Sequence, residues 1–210
     1  MARFYDIHPI DPQPRLVSQV VSTIRDGGLV AYPTDSGYAL GCALGNRDGL
    51  DRIRTIRHLD DKHHFTLVCA DFSQLGQFVI LSNANFRLVK SLTPGPYTFI
   101  MTATGEVPRR MMHPRKRTVG VRIPDSPLVR AMLAELGEPL QSSTLIMPGE
   151  TQAMDQGWEV KERLDHLVEA VVDASPDGLG VGVNPTTVVD LSGDEPEVKR
   201  VGAGDVSRFG

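Results

Sequence analysis

The chain is 210 residues long, 40% hydrophobic, and carries a formal net charge of −4, which fits one domain spanning residues 1–210 with a sizeable core. The acidic balance argues against indiscriminate nucleic-acid binding. No apolar run approaches the roughly 20 residues of a membrane span, and the N-terminus shows no secretory pattern, so a soluble cytoplasmic protein is expected.

Residues 3–7 read as a first strand ended by His8-Pro9. Residues 13–25 read as a helix, because Leu16, Val17, Val20, Val21 and Ile24 recur at three- and four-residue steps before Gly27-Gly28. Two strand-like runs, LVAYP and YALGCAL, enclose the polar knot Thr34-Asp35-Ser36-Gly37. A helix over 47–58 places Leu50, Ile53 and Ile56 on one face, and FTLVCA follows as a buried strand. Short helices are expected near 72–79 and 84–92, after which TPGP turns the chain into the strand YTFIMTA. TVGVRIP is a strand that sets Thr118, Gly120 and Arg122 on one side and Val119, Val121 and Ile123 on the other. Residues 126–137 form a helix, with Ser126 as its cap, Pro127 in its first turn and Gly137 at its end.

PLQSST is the next strand. Residues 158–174 read mostly as helix with a C-terminal part turning to strand, and PTTVVDLS and PEVKRV close the chain as strands. Strands and helices alternate irregularly, which predicts a mixed α/β fold with a mixed sheet rather than a regular doubly wound one. Cys42 and Cys69 both lie in apolar runs, where buried free thiols are expected rather than a disulfide or metal site.

The charge is unevenly spread. Residues 108–124 hold no acid but contain Arg109, Arg110, Arg115, Lys116, Arg117 and Arg122. Locally basic segments in an acidic chain point to a focused anion site, or to a solvated surface face. Three loops, PTDSG, QSST and NPTT, carry hydroxyls, with Arg57, Arg122 and Arg200 near them in sequence. Hydroxyls and backbone N–H groups orient an oxyanion while arginine neutralises it, although each loop taken singly is equally a plain turn. Arg122 stands apart, since an arginine on an apolar strand needs an anionic partner once buried. GxxxxGK[ST], GxGxxG and GxSxG segments are all absent. Ser142-Ser143 has no histidine partner legible in sequence. His58, His63 and His64 lack a second ligand cluster at zinc spacing and are expected as surface histidines.

YPTDSGYALGC, IRTIRHLDDKHHFTL, TPGPYTFI, TVGVRIPDSPL, GEPLQSST and NPTTVVDL occur in this order. Over about residues 13–202 the set resembles the threonylcarbamoyl-AMP synthase, or YrdC-like, family, with the pattern of its YciO-type branch. The resemblance implies a twisted open sheet with flanking helices around a large concave basic cavity. It also implies an ATP-dependent nucleotidyltransferase that joins L-threonine, bicarbonate and ATP into threonylcarbamoyl-AMP and pyrophosphate for tRNA modification. Mg²⁺ would come with ATP, and no tightly bound organic cofactor or protein metal site is implied.

Carried over by position, Thr34, Arg122, Ser142 and Thr186 would serve the threonine side. Arg57, Thr118, Thr144 and Arg200 would serve the nucleotide side, with Lys62 as an additional phosphate contact. The chain departs from the family pattern in three places. Against K-x-R-P-x-x-K-P-L it has Arg57 where the first lysine is usual, and Leu59 and His63 in place of the arginine and second lysine. The asparagine of S-T-S-A-N is Ile146, and the glutamate of PTE is Asp35. Two further readings stand beside the synthase. One is double-stranded RNA or tRNA binding through Arg109, Arg110, Arg115, Lys116 and Arg117. The other is altered adenylate chemistry, hydrolysis or transfer, on the same scaffold.

Overall fold

The computed structural model describes residues 1–60, 63–175 and 180–209. Its elements, in chain order, are β1 (Arg3–Asp6), α1 (Pro14–Arg25), β2 (Val30–Thr34), β3 (Gly37–Cys42), α2 (Arg47–Arg57), β4 (Thr66–Val68), α3 (Phe72–Phe78) and α4 (Asn83–Leu92). They continue with β5 (Tyr97–Thr102), a single 3₁₀ turn (Arg109–Met111), β6 (Thr118–Arg122), α5 (Pro127–Leu136) and β7 (Leu140–Thr144). The chain closes with α6 (Gly157–Leu164), β8 (Ala170–Asp173), β9 (Thr187–Asp190) and β10 (Glu197–Arg200).

Local chemistry explains the boundaries. Asn46, Asp71, Ser82 and Ser126 each accept a backbone N–H in the first turn of α2, α3, α4 and α5. Gly137 ends α5 in the left-handed region at φ 80°. The expected long helix over 158–174 is cut short. It stops at Leu164, and only Ala170–Asp173 become strand, because Ala170, Val171 and Val172 are wholly buried between β1 and β2.

The ten strands among the described residues form one mixed sheet in the order β1-β8-β2-β3-β7-β4-β6-β5-β9-β10. The β1–β8, β2–β8, β4–β6 and β5–β9 pairs are parallel and the other neighbours antiparallel. On one face α2, α3, α4 and α6 cover a long apolar cluster that includes Leu40, Ile53, Phe65, Phe99 and Val121. On the other face α1 and α5 lie together and cover a smaller cluster, from Tyr5 and Ile7 of the β1 region to Leu140 of β7 and Val68 of β4. Both cysteines are free and buried.

The layer of α1 and α5 reaches only part of that second face, and this positions the site. Strand register carries the same face onward in a row from Gly41 through Ser142, Thr66 and Gly120 to Ile100. A parallel row places Arg122 beside Val68. Beyond the helices these residues are hydroxyls, an arginine and a glycine, and they form a floor rather than a core. A Cβ on Gly120 would come within 3.2 Å of Thr66 Oγ1 and 3.3 Å of the Phe65 carbonyl, so a side chain there would press on the neighbouring strand.

Candidate functional site: a basic cavity on the uncovered sheet face

The floor belongs to a cavity of about 250 Å³ whose lining includes Arg57, Arg122, Arg200, His63 and His64 and, among the described residues, no acidic side chain. Two hollows flank it. One of about 350 Å³ shares Thr144, Ile146, Thr186 and Arg200, and one of about 260 Å³ shares His64 and Ile100. A chain of net charge −4 thus turns a local basic concavity to solvent, which favours an anionic ligand.

Arg122, at the end of β6, is 6% exposed. Its guanidinium donates to Asp35 Oδ1 and, over 2.7 Å, to Ser36 Oγ, both in the turn between β2 and β3. The anionic partner demanded by its burial is therefore Asp35. Arg122 Nε is buried and has no hydrogen-bond partner among the described residues. Arg122 also lines the cavity, where a guanidinium suits an acceptor on an anionic ligand.

The turn explains its own polar residues. Thr34 Oγ1 donates to the Gly37 carbonyl over 2.7 Å and accepts from the Ser36 N–H over 3.1 Å. Gly37 takes φ 95°, where a side chain would be strained. Thr34 therefore stabilises the turn while lining the cavity. Ser142 Oγ donates to the Leu40 carbonyl over 2.9 Å, so Tyr32 must be the donor in the 2.7 Å contact between Tyr32 Oη and Ser142 Oγ. Burial pushes the Tyr32 pKa up to about 12, which keeps the phenol a donor. Thr186 Oγ1 lies 2.9 Å from Thr98 Oγ1 and accepts from Arg200, which also donates twice to the Thr186 carbonyl.

Arg57, in the last turn of α2, donates to the Ile146 carbonyl over 3.2 Å and to Ser143 Oγ. Burial pulls its pKa down to about 10, which leaves it a cation at neutral pH. His63 is half-buried and hydrogen-bonded to Ser143 over 2.9 Å, so it is not the surface histidine expected from sequence. His58 and His64 are exposed as expected, and His64 also lines the cavity and stacks on His113.

Thr34, Arg57, Arg122, Ser142, Thr144, Thr186 and Arg200 are therefore gathered at one cavity. Thr118 is not. It lies in the smaller flanking hollow with Lys116, Lys199 and Asp190. Lys62 falls outside the described residues. Leu59 packs against the large apolar cluster, whereas Ile146 stands in the cavity wall. Arg109, Arg115, Lys116 and Arg117 are exposed on a loop outside the cavity, and Arg110 is paired with Asp51. Sequence reasoning missed Tyr32, Thr66, Thr98 and Ser143 as lining residues. Only the strand alternation carried a signal for Thr66 and Thr98. Among the described residues, no three His, Cys, Asp or Glu side chains converge as a metal site, and no helix is long and apolar enough to cross a membrane.

An open mixed sheet with a basic, hydroxyl-lined cavity on its uncovered face defines a class of α/β fold, and comparison with known proteins gives its family. A family model described as "Telomere recombination" (Sua5/YciO/YrdC) matches residues 22–202. The chain is 45% identical to YciO of Escherichia coli (strain K12) over the full length of both, and superposes on the crystal structure of E. coli YciO with a TM-score of 0.93. It is 33% identical to the threonylcarbamoyl-AMP synthase of Vibrio vulnificus (strain YJ016), over 65% of this chain and 74% of that protein. Sua5 of P. abyssi, solved in complex with L-threonine, shares the fold at 22% identity with a TM-score of 0.84, covering 95% of this chain and 57% of that one. The protein belongs to the Sua5/YciO/YrdC family.

Proposed function

We propose that the protein is a threonylcarbamoyl-AMP synthase-type nucleotidyltransferase acting on L-threonine, bicarbonate and ATP. The observation that carries this reading is Arg122, a largely buried cation that lines the cavity. Its guanidinium suits the carboxylate of an amino acid, and Ser142 and Thr186 lie on the same lining. Arg57, Thr144 and Arg200 line the cavity with them and suit the phosphates of a nucleotide, and Thr118 extends that side into the smaller hollow.

In this reaction the threonine amine captures carbon dioxide, and a carbamate oxygen attacks the α-phosphorus of ATP. The bond from phosphorus to the pyrophosphate oxygen breaks, and pyrophosphate leaves. The protein contributes positioning and fixed positive charge rather than a covalent step. Among the described residues the cavity lining offers no carboxylate, and Mg²⁺ would be held by the phosphates it accompanies. The nucleotide side carries the weaker set of contacts. Leu59 is turned into the core, Ile146 presents an apolar side chain, and His63 is neutral in its surroundings.

Titration calorimetry with L-threonine, ATP and threonylcarbamoyl-AMP separately tests the reading. Tight binding of threonylcarbamoyl-AMP, lost in Arg122→Met, is expected. Binding of none of the three by folded protein contradicts the proposal.

A second reading, duplex RNA or tRNA binding, draws on one observation. Lys116 of the exposed basic loop also lines the hollow that adjoins the cavity. A phosphate chain tracking that loop would reach the site, so RNA contact and adenylate synthesis are compatible.

A further inference from the structure

We propose that Ser143 and His63 form a nucleophile–base pair at the cavity, set against an activated carbonyl such as the mixed anhydride of a carboxylic or carbamic acid with AMP. The substrate class rests on the adenylate reading above, while the pair itself rests on geometry. Ser143, on β7, is 5% exposed, and its Oγ meets both Arg57 and His63 Nε2. A guanidinium only donates. Ser143 Oγ therefore accepts from Arg57, and in the tautomer that carries the His63 proton on Nδ1 its own proton is directed to Nε2, 2.9 Å away. Phe65 packs edge-on against the ring at 5.4 Å between centroids and holds its orientation.

The charged surroundings keep this imidazole bare. Burial is the largest effect pushing the His63 pKa down, to about 4. Arg57, His64 and Arg54 act in the same direction, against the raising effect of Asp60. The neutral ring accepts the serine proton at pH 7 but is a weak base, so the pair should turn over slowly.

In the first step Ser143 Oγ bonds to the carbonyl carbon as its proton passes to His63 Nε2. The bond from that carbon to the bridging phosphate oxygen breaks. AMP leaves and takes up the proton from the imidazolium, which the neighbouring cations make a strong acid. Arg57 stands beside Ser143 Oγ, where it meets negative charge developing on the nucleophile. In the second step water bonds to the carbonyl carbon and gives a proton to His63. The ester bond breaks, and Ser143 Oγ recovers that proton. The sum is one anhydride and one water giving AMP and the free acid. A carbamic product then decays to amine and carbon dioxide. This chemistry follows from two features of the chain, His63 at the cavity and Ser143 within its reach, and needs no metal ligand.

The test is labelling of the full chain by a fluorophosphonate probe without ATP or threonine, followed by peptide mass spectrometry. A single adduct at Ser143 is expected, absent in Ser143→Ala and formed about 10²-fold more slowly in His63→Gln. The labelling rate should be level from pH 5.5 to 8, whereas a histidine of ordinary pKa gives a rise through about 6.5. A Ser143→Cys variant guards against misfolding of the alanine form, and iodoacetamide should alkylate it faster with His63 present than with His63→Gln. No adduct, an adduct on Ser142 or Thr144 instead, or labelling independent of His63 overturns the proposal. Because labelling needs no nucleotide, its failure leaves threonine-dependent pyrophosphate release untouched. Failure of that release likewise leaves the labelling intact.

Discussion

Asp35 lays a carboxylate against Arg122, and Asp35→Asn separates what that charge does for the fold from what it does for a ligand. The two side chains are 18% and 8% exposed, so the pair is only weakly screened. A charge-assisted hydrogen bond contributes about 1.5–3 kcal/mol and a neutral one about 0.5–1.5 kcal/mol. Asparagine keeps an acceptor oxygen in place, so the variant should lose about 1–2 kcal/mol. For a chain of this length that lowers Tm by about 2–8 °C in scanning calorimetry.

Ligand affinity should move the other way. A carboxylate completing Arg122 would lie about 6 Å from the Asp35 charge. At an effective dielectric of about 40 their repulsion is about 1.4 kcal/mol, so Asp35→Asn should bind L-threonine about tenfold more tightly by titration calorimetry. Arg122→Met should lose on both counts. It leaves Asp35 unpaired, at a cost of about 3–5 kcal/mol, and removes the anion's partner. An Asp35→Asn protein that is less stable but binds threonine no better than wild type would refute the reasoning. Asp35 would then position Arg122 rather than oppose the ligand.

Other outcomes follow from the same geometry. Ile146→Asn adds a carboxamide to the cavity wall and should tighten ATP binding about 5- to 10-fold in calorimetry, and unchanged affinity would mean the nucleotide does not pass that wall. Between pH about 6.5 and about 4 the unfolded chain binds a proton at residue 63 that the folded chain refuses. The stability associated with neutral His63 is therefore complete above pH 6.5 and is lost as pH falls through 4. The drop in urea midpoint from pH 7 to 4.5 should be smaller in His63→Gln than in wild type, and equal drops would contradict the burial argument. Replacing Arg109, Arg110, Arg115 and Arg117 with Ala should weaken binding to duplex RNA and flatten its salt dependence, measured by fluorescence anisotropy at several salt concentrations. RNA affinity unchanged by these substitutions would count against the loop as a binding surface.

Much of the fold was legible because local signals and burial agreed. The stripe from Leu16 to Ile24 became α1, and Ser126 and Gly137 bound α5 as read. The segment 158–174 turns to strand at its C-terminal part as read, but its helix ends earlier than expected, at Leu164. There the 3.6-residue pattern of Val160 and Leu164 gives way to Ala170-Val171-Val172, an apolar run that suits a fully buried strand as well as a helix. The site was legible in part for a similar reason. Gly120 and Arg122 were placed on one side of their strand by alternation alone, and both line the cavity. Alternation could not show that Thr66, Ser142 and Ile100 share their row, because strand register is a tertiary fact. His63 and Ser143 stand 80 residues apart and meet only because β4 and β7 are neighbours in the sheet. The partner of Arg122 was anticipated in kind, an anion, but Asp35 looked like a turn residue until the turn was seen to lean over β6.

The most direct measurement is pyrophosphate release from ATP and Mg²⁺ in the presence of bicarbonate, with and without L-threonine. Release that requires threonine, yields threonylcarbamoyl-AMP and is abolished in Arg122→Met is the expected result. Folded protein that releases no pyrophosphate, or releases it equally without threonine, would contradict the synthase reading.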